Sequence, residues 1–175
     1  MKKTFFASIR FLGLSIIFFG GVYTLLITGI GQLFFPTQAN GSQIMENEQV
    51  VGSTLIGQQF EEEGYFSGRS QGVSQLSPFA EEQASLVKER TKAQLAANPT
   101  ETDVPIDLVT ASASGVDPHI SMAAAEFQMD RIAEIRNISQ EAISAIIKQN
   151  SQSDLFSSRE YVNIMQLNQA LDELQ

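Results

Sequence analysis

The chain has 175 residues, 11 basic and 20 acidic side chains, a net charge of −9 and no cysteine. Beyond Asn40 it holds 8 basic and 20 acidic residues, a net of −12, which excludes nucleic acid and anionic lipid as favoured partners of that part. The missing thiols exclude disulfides, thiolate catalysis and cysteine-based zinc sites.

Lys2, Lys3 and Arg10 lie in a short leading segment, residues 1–10. Phe11 to Phe35 then contains no charged residue and shows no polar face at helical spacing. About 20 apolar residues cross a hydrocarbon core of about 30 Å, so residues 11–35 are expected to form an uncleaved membrane-spanning helix. A cleaved signal peptide has a shorter apolar segment and small residues at the cut, and Thr37-Gln38-Ala39 fits that pattern poorly. The basic residues precede the run, and Glu46 and Glu48 are the first charges after it. The positive-inside rule therefore puts the N-terminus in the cytoplasm and residues 36–175 outside. Gly13, Gly20, Thr24 and Thr28 line up at 3.6 residues per turn and form a candidate face for packing against another membrane helix.

About 135 residues follow the span, enough for one domain with its own core. Pro36 ends the first helix. Val50 to Gly57 reads as short strands or a loop broken by glycine. Gly52 and Gly57 have the spacing of a phosphate-binding loop, but Gln58 and Gln59 stand where Lys and Ser/Thr belong, so that reading is rejected. Glu63 to Arg69 is turn-rich, with Tyr65 and Phe66 as a candidate core plug. Ser77 and Pro78 predict a helix start, Ala80, Ala84, Val87, Thr91 and Leu95 one helical face, and Asn98-Pro99 its end.

Val104 to Thr110 reads as a short strand, followed by a small-residue loop, Ala111 to Gly115. Ser121 is expected to cap a helix whose buried stripe is Met122, Ala125, Met129, Ile132 and Ile135. Asn137 ends that helix, and Ser139 caps the next, which turns Ile143, Ile146 and Ile147 inward. Tyr161 to Leu167 reads as a strand, with Asn168 capping a terminal helix from Gln169 to Leu174. The sum is one N-terminal transmembrane helix plus one mixed α/β (α+β) domain.

Two side-chain groupings invite chemistry. Asp107, Asp117 and His119 suggest a metal or acid–base cluster, but His119 is the only histidine and the ligand set is incomplete. Ser112 and Ser114 lack the G-x-S-x-G elbow of a serine hydrolase. Helix capping and loop-amide bonding are the ordinary uses of such residues.

The stretches "LFFPTQANGS", "GSTLIGQ", "YFSGR", "VPIDLVTASASGVDPHIS" and "VNIMQLNQALD" occur in that order along the chain. With the N-terminal anchor they strongly resemble the C subunit of the Kdp potassium-transporting P-type ATPase, the KdpC family. The most specific block runs from Val104 to Ser121 and contains Asp107, Thr110, Ser112, Gly115, Asp117, Pro118, His119 and Ser121. The resemblance implies a bacterial plasma-membrane complex that transports potassium. Its partners would be a channel-like A subunit, an ATP-hydrolysing B subunit and a very small F subunit. It also implies that this subunit is non-catalytic and needed for assembly and activity, in keeping with the absence of a DKTGT phosphorylation motif.

The resemblance further implies a catalytic chaperone that raises the ATP affinity of the B subunit, with no cofactor or metal of its own. The nucleotide-signature-like stretch is Ile138 to Ala142, which makes Ser139 and Gln140 the nucleotide candidates, although Ala142 replaces the closing Gln. A second departure follows Arg69, where Ser70-Gln71 stands in place of the family's Pro-Ser. Charge places the domain outside, whereas ATP is inside, so direct nucleotide contact and the predicted orientation are competing expectations. An outer domain would instead sit over the A subunit, with Glu61–Glu63 biasing its surroundings toward cations. The alternative class is an anchored extracytoplasmic enzyme using His119 with Asp107 or Asp117.

Overall fold

The apolar run forms part of one helix, α1 (Lys2–Phe34), in a computed structural model that describes residues 2–46, 48–70, 72, 75–154 and 156–174. At about 1.5 Å per residue its 33 residues extend about 50 Å, so the helix is long and apolar enough to cross a membrane. None of its residues is buried. The stretch Ile16–Tyr23 is wound as a π-helix, and the Thr24 hydroxyl donates to the Phe19 carbonyl at 2.9 Å. A π-turn advances less per residue than an α-turn, so the spacing that aligns Gly13 with Gly20, Thr24 and Thr28 is altered across it. A Cβ on Gly13 or Gly20 would meet nothing within 4 Å. Pro36 opens a one-turn helix, α2 (Pro36–Ala39). The chain divides into two compact units, one ending at Gln43 and one beginning at Ile44.

The second unit mixes helices and strands. β1 (Gln43–Glu46) and β2 (Gln49–Ser53) form a two-stranded sheet. The helices α3 (Glu81–Ala97) and α4 (Ile106–Val109) pack on each other. Next come β3 (His119–Ser121), α5 (Met122–Glu126), α6 (Met129–Arg136) and α7 (Gln140–Gln149). The chain closes with β4 (Ser151–Ser153), β5 (Glu160–Asn163) and α8 (Ile164–Asp172). Strand β5 lies between β3 and β4, antiparallel to both, with Ile120 and Ser151 each opposite Val162. Ile120 and Val162 join Ile132, Ile143, Ile147 and Leu167 in a single core.

Local sequence explains many boundaries. The Ser121 hydroxyl accepts from the Ala124 amide at 3.1 Å and starts α5. Asn137 ends α6 in the left-handed conformation (φ 54°), and Ser139 caps α7 through the Ala142 amide. Ile143, Ile146 and Ile147 are buried as expected from their spacing.

Several expectations require correction. Val104 to Thr110 is not a strand: Pro105 leads into the turn of α4, which buries the adjacent Leu108 and Val109. A strand would point neighbours to opposite faces. Tyr161 to Leu167 is strand only to Asn163, whose side-chain oxygen accepts from the Met165 and Gln166 amides and starts α8 there. Asn168 is therefore inside a helix rather than capping one. Ser77-Pro78 forms a turn that precedes α3, because the Ser77 carbonyl binds the Ala80 amide at 3.0 Å and the helix begins at Glu81. On α3, Ala84 is exposed, so the half-buried face runs through Leu86, Val87, Thr91 and Leu95 instead. The helix expected from Met122 to Ile135 is split at Phe127 and Gln128, and Ile135 is 49% exposed.

The split has a purpose in packing. The segment 63–69 crosses the core without a strand partner at Phe66, so its backbone groups need other partners. Asn168 supplies both for Phe66, accepting from its N–H at 2.8 Å and donating to its carbonyl at 3.0 Å. Gln128 does the same for Ser67, at 2.8 and 3.0 Å, and also binds the Ala124 carbonyl. Both amides are almost fully buried.

Asn168→Ala leaves two buried backbone groups unpaired, and at about 1–3 kcal/mol per group it is expected to cost about 2–6 kcal/mol. The denaturant midpoint of the detergent-solubilised full chain measures this. Asn168→Ala at wild-type stability would show that the clamp contributes nothing.

Candidate functional site

The block Val104 to Ser121 lies against the clamped segment, and Arg69 joins the two. Its guanidinium donates to the Thr110 hydroxyl and the Ala111 carbonyl, both at 3.3 Å, and lies 3.5 Å from the Asp117 carboxylate. Ser70 pairs with Ala111 in an isolated parallel bridge. The altered residues after Arg69 run into Gln71, which is outside the described residues.

Within the block the polar side chains hold the loop's own backbone. The Ser112 hydroxyl accepts from the Gly115 amide at 2.9 Å and the Asp117 amide at 3.4 Å. The Ser114 hydroxyl accepts from the Val116 amide. Gly115 takes φ 74°, a conformation that glycine reaches without a steric cost. The Thr110 hydroxyl donates to the Ile106 carbonyl, and the Pro118 carbonyl accepts from the Ile164 amide. Asp107 accepts from the Ser121 amide at 2.6 Å and from its hydroxyl at 3.2 Å, fixing the entry to α5.

Asp117 and His119 do meet. The carboxylate accepts from the His119 amide and lies 3.1 Å from Nδ1, while the imidazole stands edge-on to Tyr161 at 5.0 Å. Asp107 is held by Ser121 instead, so the three residues do not form the cluster that their sequence suggests. Among the described residues, no three His, Asp or Glu side chains assemble a metal-binding group.

Ser139 and Gln140 sit at the start of α7. The Ser139 hydroxyl is taken by the Ala142 amide, and Gln140 donates to Asp130 at 2.7 Å. The adjoining cleft of about 530 Å³ is lined by Glu101, Asp103, Glu126 and Asp130, whose charge opposes a phosphate.

Gln128 and Arg131 were not singled out from sequence, and Asn168 was read there only as a helix cap. Arg131 donates to the Glu63 and Tyr65 carbonyls and to Asn98 and Gln128. Burial lowers its affinity for the proton, partly offset by the charge of Glu63. For Gln128 the signal was present: it lies three residues after Ala125 and four before Ile132, on the buried stripe.

A family model described as KdpC, the c chain of the K+-transporting ATPase, matches residues 5–173. The potassium-transporting ATPase KdpC subunit of Escherichia coli O157:H7 is 45% identical over 170 residues, covering 89% of this chain and 90% of that one. The same-named subunit of Yersinia enterocolitica serotype O:8 is 45% identical over 168 residues, covering 87% and 84%. That of Shigella dysenteriae serotype 1 is 45% identical over 170 residues, covering 89% and 90%.

Two glycines test how tightly the loop is seated. A Cβ on Gly57 would lie 2.8 Å from the Asp117 carbonyl oxygen, which is backbone. On Gly68 it would lie 2.6 Å from the Ile164 Cδ1, the end of a side chain that can rotate. Gly57→Ala is expected to cost about 2–3 kcal/mol and Gly68→Ala about 1. Paired unfolding curves check the order, and an equal or reversed cost would show that the loop yields.

Proposed function

The chain belongs to the KdpC family, the c chain of K+-transporting ATPases, and from that membership we propose that it is a non-catalytic subunit needed for assembly and activity. Potassium is the ion that the complex transports. The partners are its channel-like A subunit, its ATP-hydrolysing B subunit and its small F subunit. The span anchors the chain with its N-terminus inside and residues 36–175 outside, following the basic residues ahead of α1. Of the expected packing face of Gly13, Gly20, Thr24 and Thr28, Thr24 and Thr28 keep their one-turn spacing beyond the π-helical stretch and are offered toward partner helices.

The observation that carries the non-catalytic reading is the use made of the family block. Asp107, Thr110, Ser112, Ser114 and Ser121 all bond the loop's own backbone or one another, so the block is shaped as a rigid surface. In the proposed orientation the chain influences ATP affinity through assembly rather than by contact. The engaged Ser139 and Gln140 side chains and the acidic cleft beside them support that view. The Asp117–His119 pair supports the enzyme alternative, and the two separate by mutation.

His119→Ala is expected to leave ATP-driven potassium uptake within about twofold of wild type, whereas losing a general acid or base costs about 10²–10⁴-fold. A loss of that size in a chain that still co-purifies with the pump would favour the enzyme. Orientation is checked with Ser158→Cys, an exposed position in a chain without cysteine. Labelling of intact cells by a membrane-impermeant thiol reagent is expected. Protection until lysis would reverse the orientation and return ATP contact to consideration.

A further inference from the structure

The second unit contains an apolar groove of about 460 Å³ between the β1–β2 sheet, the segment 58–65 and α8. Its apolar lining includes Ile44, Val51, Phe60 and Met165, and its charged lining is Glu46, Asp172 and Glu173, with no Lys, Arg or His among the described residues. Asp172 is already engaged by Arg136 at 2.8 Å and by the Tyr65 hydroxyl at 3.2 Å. Glu46 and Glu173 are exposed on the rim.

The adjoining sheet is incomplete as a soluble structure. It has two strands, whereas a pair of strands alone is marginal in water. Met45, Val50, Val51, Leu55 and Ile56 are each 45–62% exposed along it. An exposed apolar patch beside a concave apolar groove marks an interaction surface.

We propose that this groove and sheet bind an extended segment of another subunit of the same pump, which inserts an apolar side chain between Phe60 and Met165 and sets a Lys or Arg against Glu46 and Glu173. The inference rests on the chain being a pump subunit. Electrostatics selects the occupant. The exposed carboxylates of Glu46 and Glu173 repel anionic lipid headgroups and nucleotide phosphates, while Asp172 is neutralised by Arg136. A second copy of this chain would bring a domain of the same strongly negative charge, with 20 acidic against 8 basic residues beyond Asn40. A basic, apolar segment satisfies both the groove and its rim.

The test is photo-crosslinking in intact membranes that contain the whole complex, with benzoylphenylalanine at Met45 or at Val50. A crosslink to a peptide of another pump subunit that carries Lys or Arg is expected. Glu46→Lys with Glu173→Lys, both on the exposed rim, is expected to lower its yield by about tenfold. Lys→Glu or Arg→Glu in the captured peptide should then restore it. Crosslinks to lipid or to a second copy of this chain, or a yield indifferent to the charge reversal, overturn the proposal. So does the absence of any crosslink when the subunits co-purify, and the subunit reading then stands. Failure to co-purify at all overturns that reading itself.

Discussion

The side-chain amides of Asn168 and Gln128 hold the segment 63–69, which has no strand beside Phe66. Burying Phe66 places its peptide groups out of water, where an unmatched donor or acceptor is costly. Two buried amides supply the donor and acceptor pair that a neighbouring strand would have offered. Their position explains other features. α5 and α6 separate where Gln128 turns inward, and Asn168 occupies a helical core position that a hydrophobic residue would normally take. Arg131 and Arg136 extend the clamp to Glu63, Gly64 and Tyr65, and Arg136 also lies 4.3 Å over the Tyr65 ring.

The clamp also determines what Arg69 can do. With Phe66 and Ser67 fixed, Arg69 projects onto Thr110, Ala111 and Asp117. The loop's shape then depends on a rigid segment rather than on its own flexible small residues. Hydroxyls that accept loop amides have less freedom to act as nucleophiles, and Asp107 is spent on Ser121. That arrangement is the basis of the proposed reading of the block as a presented surface.

The legible parts of the sequence were those decided locally. Ser121, Asn137 and Ser139 cap or end helices through bonds to residues within five positions, and Ile143, Ile146 and Ile147 repeat at helical spacing. The illegible parts were decided at a distance. Asn163 ends β5 while also donating to the Thr54 carbonyl, 109 positions away. Ile164, Leu167, Asn168 and Leu171 have helical spacing, but the strand-like Tyr161-Val162 ahead of them set the wrong period. Val104 to Thr110 misled because β-type residues at its ends conceal a turn that buries two adjacent side chains. Of the candidate site, the order and identity of the block were readable. The pairing of Asp117 with His119 and of Asp107 with Ser121 was not, since spacing alone cannot say which carboxylate faces which partner.

Charge connects the fold to the proposed role. Among the described residues the cleft near α7 is lined by carboxylates without a cation, and the groove beside β1 carries the exposed Glu46 and Glu173 on its rim. Arg131 and Arg136 are committed to backbone carbonyls rather than free for a phosphate, and Arg136 also pairs with Asp172. An acidic domain whose central arginines hold its own backbone together is poorly suited to cradle a nucleotide. It is better suited to a basic protein surface, and the long apolar helix ahead of it is suited to lipid or partner helices along its length. Both features belong to a chain whose stable environment is a membrane assembly.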